Sequence, residues 1–254
     1  MAALPPALLD ALEQARSIAV FTGAGVSAES GIPTFRDALT GLWERFDPMQ
    51  LATAEAFLRD KALVWGWYEW RRMKVCQSQP NPAHHAIAGL QRCGRKVTVV
   101  TQNVDDLHER AGSADVIHLH GSLHAPRCFS CARPFVPDES AEEPEGGRRL
   151  APPTCPACGG DVRPGVVWFG ENLPEGAFEQ ALEIMRTCEL LIVIGTSGLV
   201  QPAASLPAVA REKGARILQI NPHPTPLDKT ADWTLHGAAG EVLPAIIRAM
   251  DGTG

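Results

Sequence analysis

Five short apolar runs, Ile18–Thr22, Val97–Thr101, Val116–Leu119, Leu190–Ile194 and Ile217–Ile220, constrain this chain more than any other feature. Each is rich in valine or isoleucine, and none alternates with polar residues. A strand with one wet face alternates; a strand buried on both faces does not. Helical patterns lie between the runs. Asn81-Pro82 opens one that Gly94 closes, with proline in the first turn and glycine past the end. Others cover 175–186, 202–213 and 241–250. Strands alternating with helices predict an α/β fold, a Rossmann-like doubly wound parallel sheet.

Two segments interrupt the alternation. Residues 38–79 carry no strand signal and hold Trp43, Trp65, Trp67 and Trp70, which predicts a helical insertion. Residues 123–164 hold two cysteine pairs and the polar stretch DESAEEPEGGRR, which predicts a small metal-bound insertion with a solvated loop. The sheet domain is then 1–37, 80–122 and 165–254. With 254 residues, 45% of them hydrophobic, the chain can bury one sizeable core with smaller lobes attached. The formal net charge of -6 gives no general pull towards nucleic acid or an anionic membrane. No apolar run approaches the roughly 20 residues of a membrane helix. The N-terminus lacks the features of a secretory signal and reads as an amphipathic helix with Leu8, Leu9 and Leu12 on one face. A cytoplasmic protein is expected; the sequence carries no signal for self-association.

The first apolar run leads directly into Gly23-Ala24-Gly25-Val26-Ser27-Ala28. Strand, then G-x-G-x-x-A, then the start of a helix is the pattern of a dinucleotide pyrophosphate site. Its glycines permit a tight turn and close backbone approach, and the helix N-terminus offers free N–H groups. A dehydrogenase would place an acidic residue about 20 residues further on, at a strand end, to hold the ribose. Here that region reads Gly41-Leu42-Trp43-Glu44-Arg45, which argues against hydride transfer.

Cys128-Phe129-Ser130-Cys131 and Cys155-Pro156-Ala157-Cys158 are two knuckles that together complete a tetrahedral thiolate set. A closed four-thiolate site is structural zinc, because no coordination position remains for a substrate. The total of seven cysteines is odd and suits a reducing compartment better than a disulfide framework. Cys76, Cys93 and Cys188 read as core thiols.

Polar groups follow the strands. Thr101-Gln102-Asn103-Val104-Asp105 and His118-Leu119-His120-Gly121 end two of them; Gly195-Thr196-Ser197 and Asn221-Pro222 end two more. Ligands of open α/β sheets sit outside the carboxyl ends of strands, so these groups should meet the glycine loop in one crevice. His120, at a strand end before glycine, is the candidate general base. His118 points to the other side of its strand and reads as structural, as do His84, His85, His108, His124, His223 and His236.

Together these motifs resemble the sirtuin family. The run from Gly23 to Asp37, then Thr101–Asp105, His120-Gly121, the four cysteines, Val167-Trp168-Phe169-Gly170-Glu171, Gly195–Ser197 and Asn221-Pro222 stand in sirtuin order over residues 17–247. The resemblance implies a Rossmann-like domain with a zinc lobe and a helical lobe, and NAD and substrate in the cleft between them. It implies NAD-dependent removal of acyl groups from protein lysine, giving nicotinamide and O-acyl-ADP-ribose. His120, Asn103 and Asp105 would be catalytic. Gly23, Ala24, Gly25, Glu29, Thr34, Phe35, Arg36, Gln102, Asn103, Asp105, Gly195, Thr196, Ser197, Asn221 and Ala238 would line the NAD site. The peptide would add as a strand between 167–171 and 198–200, touching Val167, Phe169 and Gly170. Two departures stand out: 37–43 is one residue longer than the usual cofactor loop, and Gln201 replaces a tyrosine common among relatives.

Tyr68, the one tyrosine of the chain, and Arg71 are spaced i, i+3 and share a helix face. A phenol beside a guanidinium suits a carboxylate at the end of an acyl chain. The pair resembles that of sirtuins preferring succinyl- and malonyl-lysine, so desuccinylase and demalonylase activity is expected, with acetyl groups also accepted. The rival readings are an ADP-ribosyltransferase on the same scaffold and a non-catalytic nucleotide sensor.

Overall fold

The computed structural model describes residues 4–33, 46–92, 94–136 and 148–250. In chain order the elements are α1 (Pro6–Gln14), β1 (Ser17–Thr22), α2 (Pro48–Leu51), α3 (Ala54–Arg59), α4 (Lys61–Gln77), α5 (Pro82–Arg92), β2 (Lys96–Thr101), α6 (Leu107–Arg110) and β3 (Val116–His118). There follow β4 (Arg127–Cys128), β5 (Val162–Arg163), α7 (Glu175–Thr187), β6 (Leu190–Ile194), α8 (Leu206–Glu212), β7 (Arg216–Ile220), β8 (Trp233–Leu235) and α9 (Ala239–Met250).

Six strands form one sheet in the order β3-β2-β1-β6-β7-β8, every neighbouring pair parallel. All five apolar runs are in it; β8, only three residues long, had no recognisable pattern. The unbroken apolar character has a direct cause. Ile18, Val20, Val99, Ile192 and Leu218 pack on one face against α1, α5 and α9, while Ala19, Phe21, Val100, Leu191 and Ile217 pack on the other against α7 and α8. Both faces are covered, so apolar residues fill most positions along the strands, with Thr98 and Gln219 among the few buried polar exceptions. Helix α5 starts as its sequence requires: the Asn81 side chain accepts from the Ala83 and His84 amides, and Pro82 needs no donor there.

The segment after β1 departs from expectation. Among the described residues, no α-helix directly follows the glycine loop. Two short 3₁₀ turns, 24–26 and 28–30, take its place, closed by Gly31 at φ 78°. Ser27, Ser30, Gly31 and Pro33 crowd the segment, and each favours a turn over a helix interior.

Helices α2, α3 and α4 share a third core, in which Phe57, Val64, Trp67, Tyr68 and Trp70 meet Leu123, Val166 and Trp168 from distant parts of the chain. A backbone strap within the second insertion, residues 148–150, lies along α4. The Leu150 amide donates to the Ala62 carbonyl at 2.9 Å. Lys61 pairs with Asp161 at 2.6 Å, and Asp60 pairs with Arg149. Gly66 permits the approach, since a Cβ there would lie 2.1 Å from the Arg148 carbonyl oxygen.

Glycine to alanine inside an exposed helix ordinarily gains about 1 kcal/mol. Gly66→Ala should instead destabilise by about 1–3 kcal/mol, because the strap must move off α4. Denaturant titration of both proteins reads the sign directly.

Candidate functional site

The sheet order reverses between β1 and β6, so the loops leaving these strands diverge and open a crevice at their carboxyl ends. Glycines let the two loops touch at its floor. The Gly23 amide donates to the Ile194 carbonyl at 3.0 Å and the Gly25 amide to the Gly195 carbonyl at 2.9 Å. A Cβ on Gly25 would lie 2.8 Å from Gly195 Cα, and one on Gly195 would lie 2.5 Å from the Val26 nitrogen. Within the loop the amides of Gly23, Gly25, Val26 and Ser27 bond to carbonyls of the protein, so these four are not offered to a ligand. Its glycines serve close approach.

Polar side chains converge above this floor. Gln102 Nε2 donates to Thr196 Oγ1 at 2.9 Å, and Asn221 Nδ2 to the Thr196 carbonyl at 2.9 Å, joining three strand ends. Ser197 follows, half-buried. On the other side Asn103 Nδ2 donates to Ser27 Oγ at 3.1 Å, and Ser27 Oγ donates to Asp105 Oδ2 at 3.0 Å. His84 completes this network. Its Nδ1 faces the Asn81 amide at 3.3 Å and must accept, so Nε2 carries the proton and donates to Ser27 Oγ at 3.4 Å. Burial pushes His84 down to about 4, so the ring stays neutral. Ser27, Asn103, Asp105 and His84 are all buried, and burial raises the Asp105 carboxyl above its ordinary range against the Ser27 and Leu107 hydrogen bonds.

His120 Nδ1 lies 2.9 Å from the Gln102 carbonyl oxygen. A carbonyl only accepts, so Nδ1 holds the proton and the Nε2 lone pair is left to act as a base. Burial lowers its pKa from 6.5, opposed by the Gln102 bond.

The backbone beyond His120 is built into a loop edge. The Val167 amide donates to the His120 carbonyl at 2.8 Å, and the Phe169 amide to the Ala52 carbonyl at 2.9 Å. Phe169 and Gly170 are exposed, with Gly170 at φ 87°. Arg163 shapes this loop from inside. Its guanidinium pairs with both oxygens of Glu171, donates to the Val166 carbonyl at 3.0 Å, and lies 3.5 Å from the Trp168 ring centroid. Trp168 Nε1 in turn donates to Tyr68 Oη at 3.1 Å.

Tyr68 is buried, and burial pushes its phenol up to about 12, with Arg71 the largest opposing influence. The hydroxyl thus accepts from Trp168 and keeps a proton to donate. The Arg71 guanidinium carbon lies 4.9 Å from the Trp67 ring and 5.6 Å from the Tyr68 ring; desolvation lowers its pKa from the ordinary arginine value, opposed by Tyr68 and Asp105, which favour its charge. The pair therefore sits on the Asp105 side of the crevice.

Two groups of expected residues fare differently. Thr34, Phe35 and Arg36 lie outside the described residues. Glu29 turns to the N-terminus of α9, where its carboxylate accepts from the Gly240 amide at 2.7 Å, next to Ala238. A carboxylate is favourable at that positive helix end. Sequence reading passed over Ser27, His84, Arg163 and Trp168. Ser27 and Trp168 stood inside recognised motifs; His84 and Arg163 gave no local signal.

The four paired cysteines come together. Their sulfurs lie within 4.8 Å of one another, with Cys128–Cys158 at 3.4 Å and Cys131–Cys155 at 3.8 Å. A tetrahedral zinc with bonds of about 2.3 Å requires edges of about 3.8 Å, so the set fits zinc with no ligand position to spare. The Cys131 amide points at Cys128 Sγ at 3.4 Å, as suits a thiolate.

This sheet, its crevice and a closed cysteine tetrad define a family. The Sir2 family model matches residues 23–202, and the chain belongs to that family. It is 60% identical over 245 residues to NAD-dependent protein deacylase 1 of Pseudomonas aeruginosa, covering 95% of this chain and 97% of the relative. It is 59% identical over 244 residues to the NAD-dependent protein deacylase of Methylococcus capsulatus, covering 96% of each. Among solved structures, a Sir2 homolog–NAD complex superposes with a TM-score of 0.91 at 47% identity, over 98% of this chain and 95% of that one. A Sir2–p53 peptide–NAD+ complex superposes at 0.84 with 30% identity, over 98% and 99%.

Arg163 follows directly on Val162, which pairs with Cys128, so the metal site anchors the loop edge. Purified protein should carry about one zinc per chain. Cys155→Ser should lower the zinc content and, with it, the melting temperature and acyl-peptide turnover. Elemental analysis beside a thermal melt tests this; a fully stable, active protein without zinc would refute the assignment.

Proposed function

We propose that this Sir2-family chain is an NAD-dependent protein-lysine deacylase, and that its preferred acyl groups end in a carboxylate, as succinyl and malonyl do. NAD, when bound, supplies a ribose carbon that takes up the acyl oxygen as nicotinamide departs. The residues of the crevice suit that chemistry. Asn103 and Asp105, fixed by Ser27, are buried polar groups for the nicotinamide end and its ribose. Gln102, Thr196, Ser197 and Asn221 provide polar contacts for the adenosine half. His120, its Nδ1 proton held by the Gln102 carbonyl and its Nε2 lone pair left as a base, removes a proton from a ribose hydroxyl so that its oxygen can attack the acyl carbon. The acylated peptide adds as a strand between 167–171 and 198–200, using main-chain bonds that leave its sequence nearly free. The described parts of the two insertions, 46–79 and 123–136 with 148–164, flank the sheet domain and bound this cleft. A metal-binding set of four cysteines suits a reducing compartment, which supports a cytoplasmic location.

One observation carries the acyl preference: Tyr68, buried, and Arg71, half-buried, stand together on the Asp105 side of the crevice. A phenol O–H and a guanidinium there can bind a carboxylate by charge-assisted hydrogen bonds. An acetyl group makes neither contact.

A panel of acetyl-, succinyl-, malonyl- and glutaryl-lysine peptides with NAD, read by mass spectrometry, tests the assignment. Tyr68→Phe with Arg71→Met should lower kcat/KM for succinyl-lysine by about 10- to 100-fold, with a much smaller effect on acetyl-lysine. An unchanged ratio would sink the preference, and ADP-ribose transferred to an acceptor protein without free lysine would favour the transferase reading. His120→Ala should lower kcat by about 10²- to 10⁴-fold. Because the base must be neutral, wild-type kcat/KM should rise with pH through a pKa below 6.5.

A further inference from the structure

We propose that His118 and Glu109 act as a positioning pair: an imidazolium held between the Glu109 carboxylate and the Asn103 peptide fixes the Asn103 side chain on Ser27. The inference rests on the deacylation reading above and concerns residues that reading leaves unused. His118 ends β3, beside Thr101 of β2. Its Nδ1 lies 3.1 Å from the Asn103 carbonyl oxygen and its Nε2 lies 2.6 Å from Glu109 Oε1. Neither partner can donate, since one is a carbonyl and the other a carboxylate. Both ring nitrogens must therefore carry protons for both bonds to exist. A neutral ring has one N–H, so deprotonation sets a nitrogen lone pair against an oxygen at one end or the other.

The two histidines of this strand exit grip consecutive peptides in different charge states. His120 holds the Gln102 carbonyl with one N–H and keeps a lone pair free. His118 holds the Asn103 carbonyl and spends its second N–H on Glu109. The side chains of Gln102 and Asn103 then reach Thr196 and Ser27 respectively. A turned Asn103 peptide would swing its amide off Ser27 and loosen Asp105 beside it.

The charged groups around His118 agree. Glu109 and His108 face it from α6 and Asp105 from the segment before α6. Burial acts against the charge, but the Glu109 and Asn103 hydrogen bonds and the nearby Asp105 outweigh it, and the pKa is raised above 6.5. His108 stays neutral, pushed down to about 3 by burial. The pair should thus give the enzyme an alkaline limb, on which activity falls as pH rises through the raised pKa of His118.

NMR titration of the imidazole nitrogens, with His118 assigned by comparison with His118→Gln, tests the charge state without turnover. The ring should titrate above 6.5 in the wild type and about one unit lower in Glu109→Gln. The pH profiles of kcat/KM on the best acyl peptide should coincide on the acid side, with the alkaline fall moved down by the same amount in Glu109→Gln. A wild-type His118 titrating at or below 6.5 overturns the proposal, as does an alkaline limb that stays in place in Glu109→Gln. Absence of all turnover in the wild type would fail the deacylation reading instead, while the titration still decides the charge state of the pair.

Discussion

The contact of Gly25 with Gly195 is the constraint on which the crevice depends. Two loops that leave adjacent strands in opposite directions meet backbone to backbone, with no room for a side chain on either. That contact sets how far apart the strand exits lie. Gln102 can then reach Thr196 across the sheet, and Asn221 can reach it from the far side. Widening the floor by one methyl group would separate all three.

Above the floor, the chemistry depends on polar groups buried without being orphaned. Ser27 Oγ accepts from His84 and Asn103 and donates to Asp105. A buried hydroxyl with every partner in place fixes the orientation of each neighbour, whereas a partly satisfied one would cost stability and blur the geometry. The site therefore does not wait for a ligand to take shape. Arg163 does the same for the loop edge, spreading its donors over Glu171, Val166 and Pro164 while its flat face covers Trp168.

Local patterns carried much of this into the sequence. Burial on both faces left five unbroken apolar runs, and all five are strands of the sheet. The zinc knuckles were legible because metal geometry restricts the spacing within each pair. The helix expected after the glycine loop failed because serine, glycine and proline there outweigh the motif's usual continuation. His84 was invisible for another reason: its partner Ser27 lies on a different element, and no local spacing encodes a contact made by folding. His118 was set aside because strand alternation sends it away from His120, yet the backbone carbonyl of Asn103 lies on that side too. Side-chain alternation says nothing about where a neighbouring peptide oxygen points.

The third core has a consequence for engineering. Trp67 and Tyr68 are covered by Leu123, Val166 and Trp168, which belong to segments far along the chain. Helices α2 to α4 are therefore not a module that can be cut out and grafted onto another scaffold. Moved alone, they would turn their largest aromatic surfaces to water, and Tyr68 would lose the indole that orients its hydroxyl. The aromatic pocket around Tyr68 is a shared property of three separated stretches of sequence, and they would have to be transplanted together.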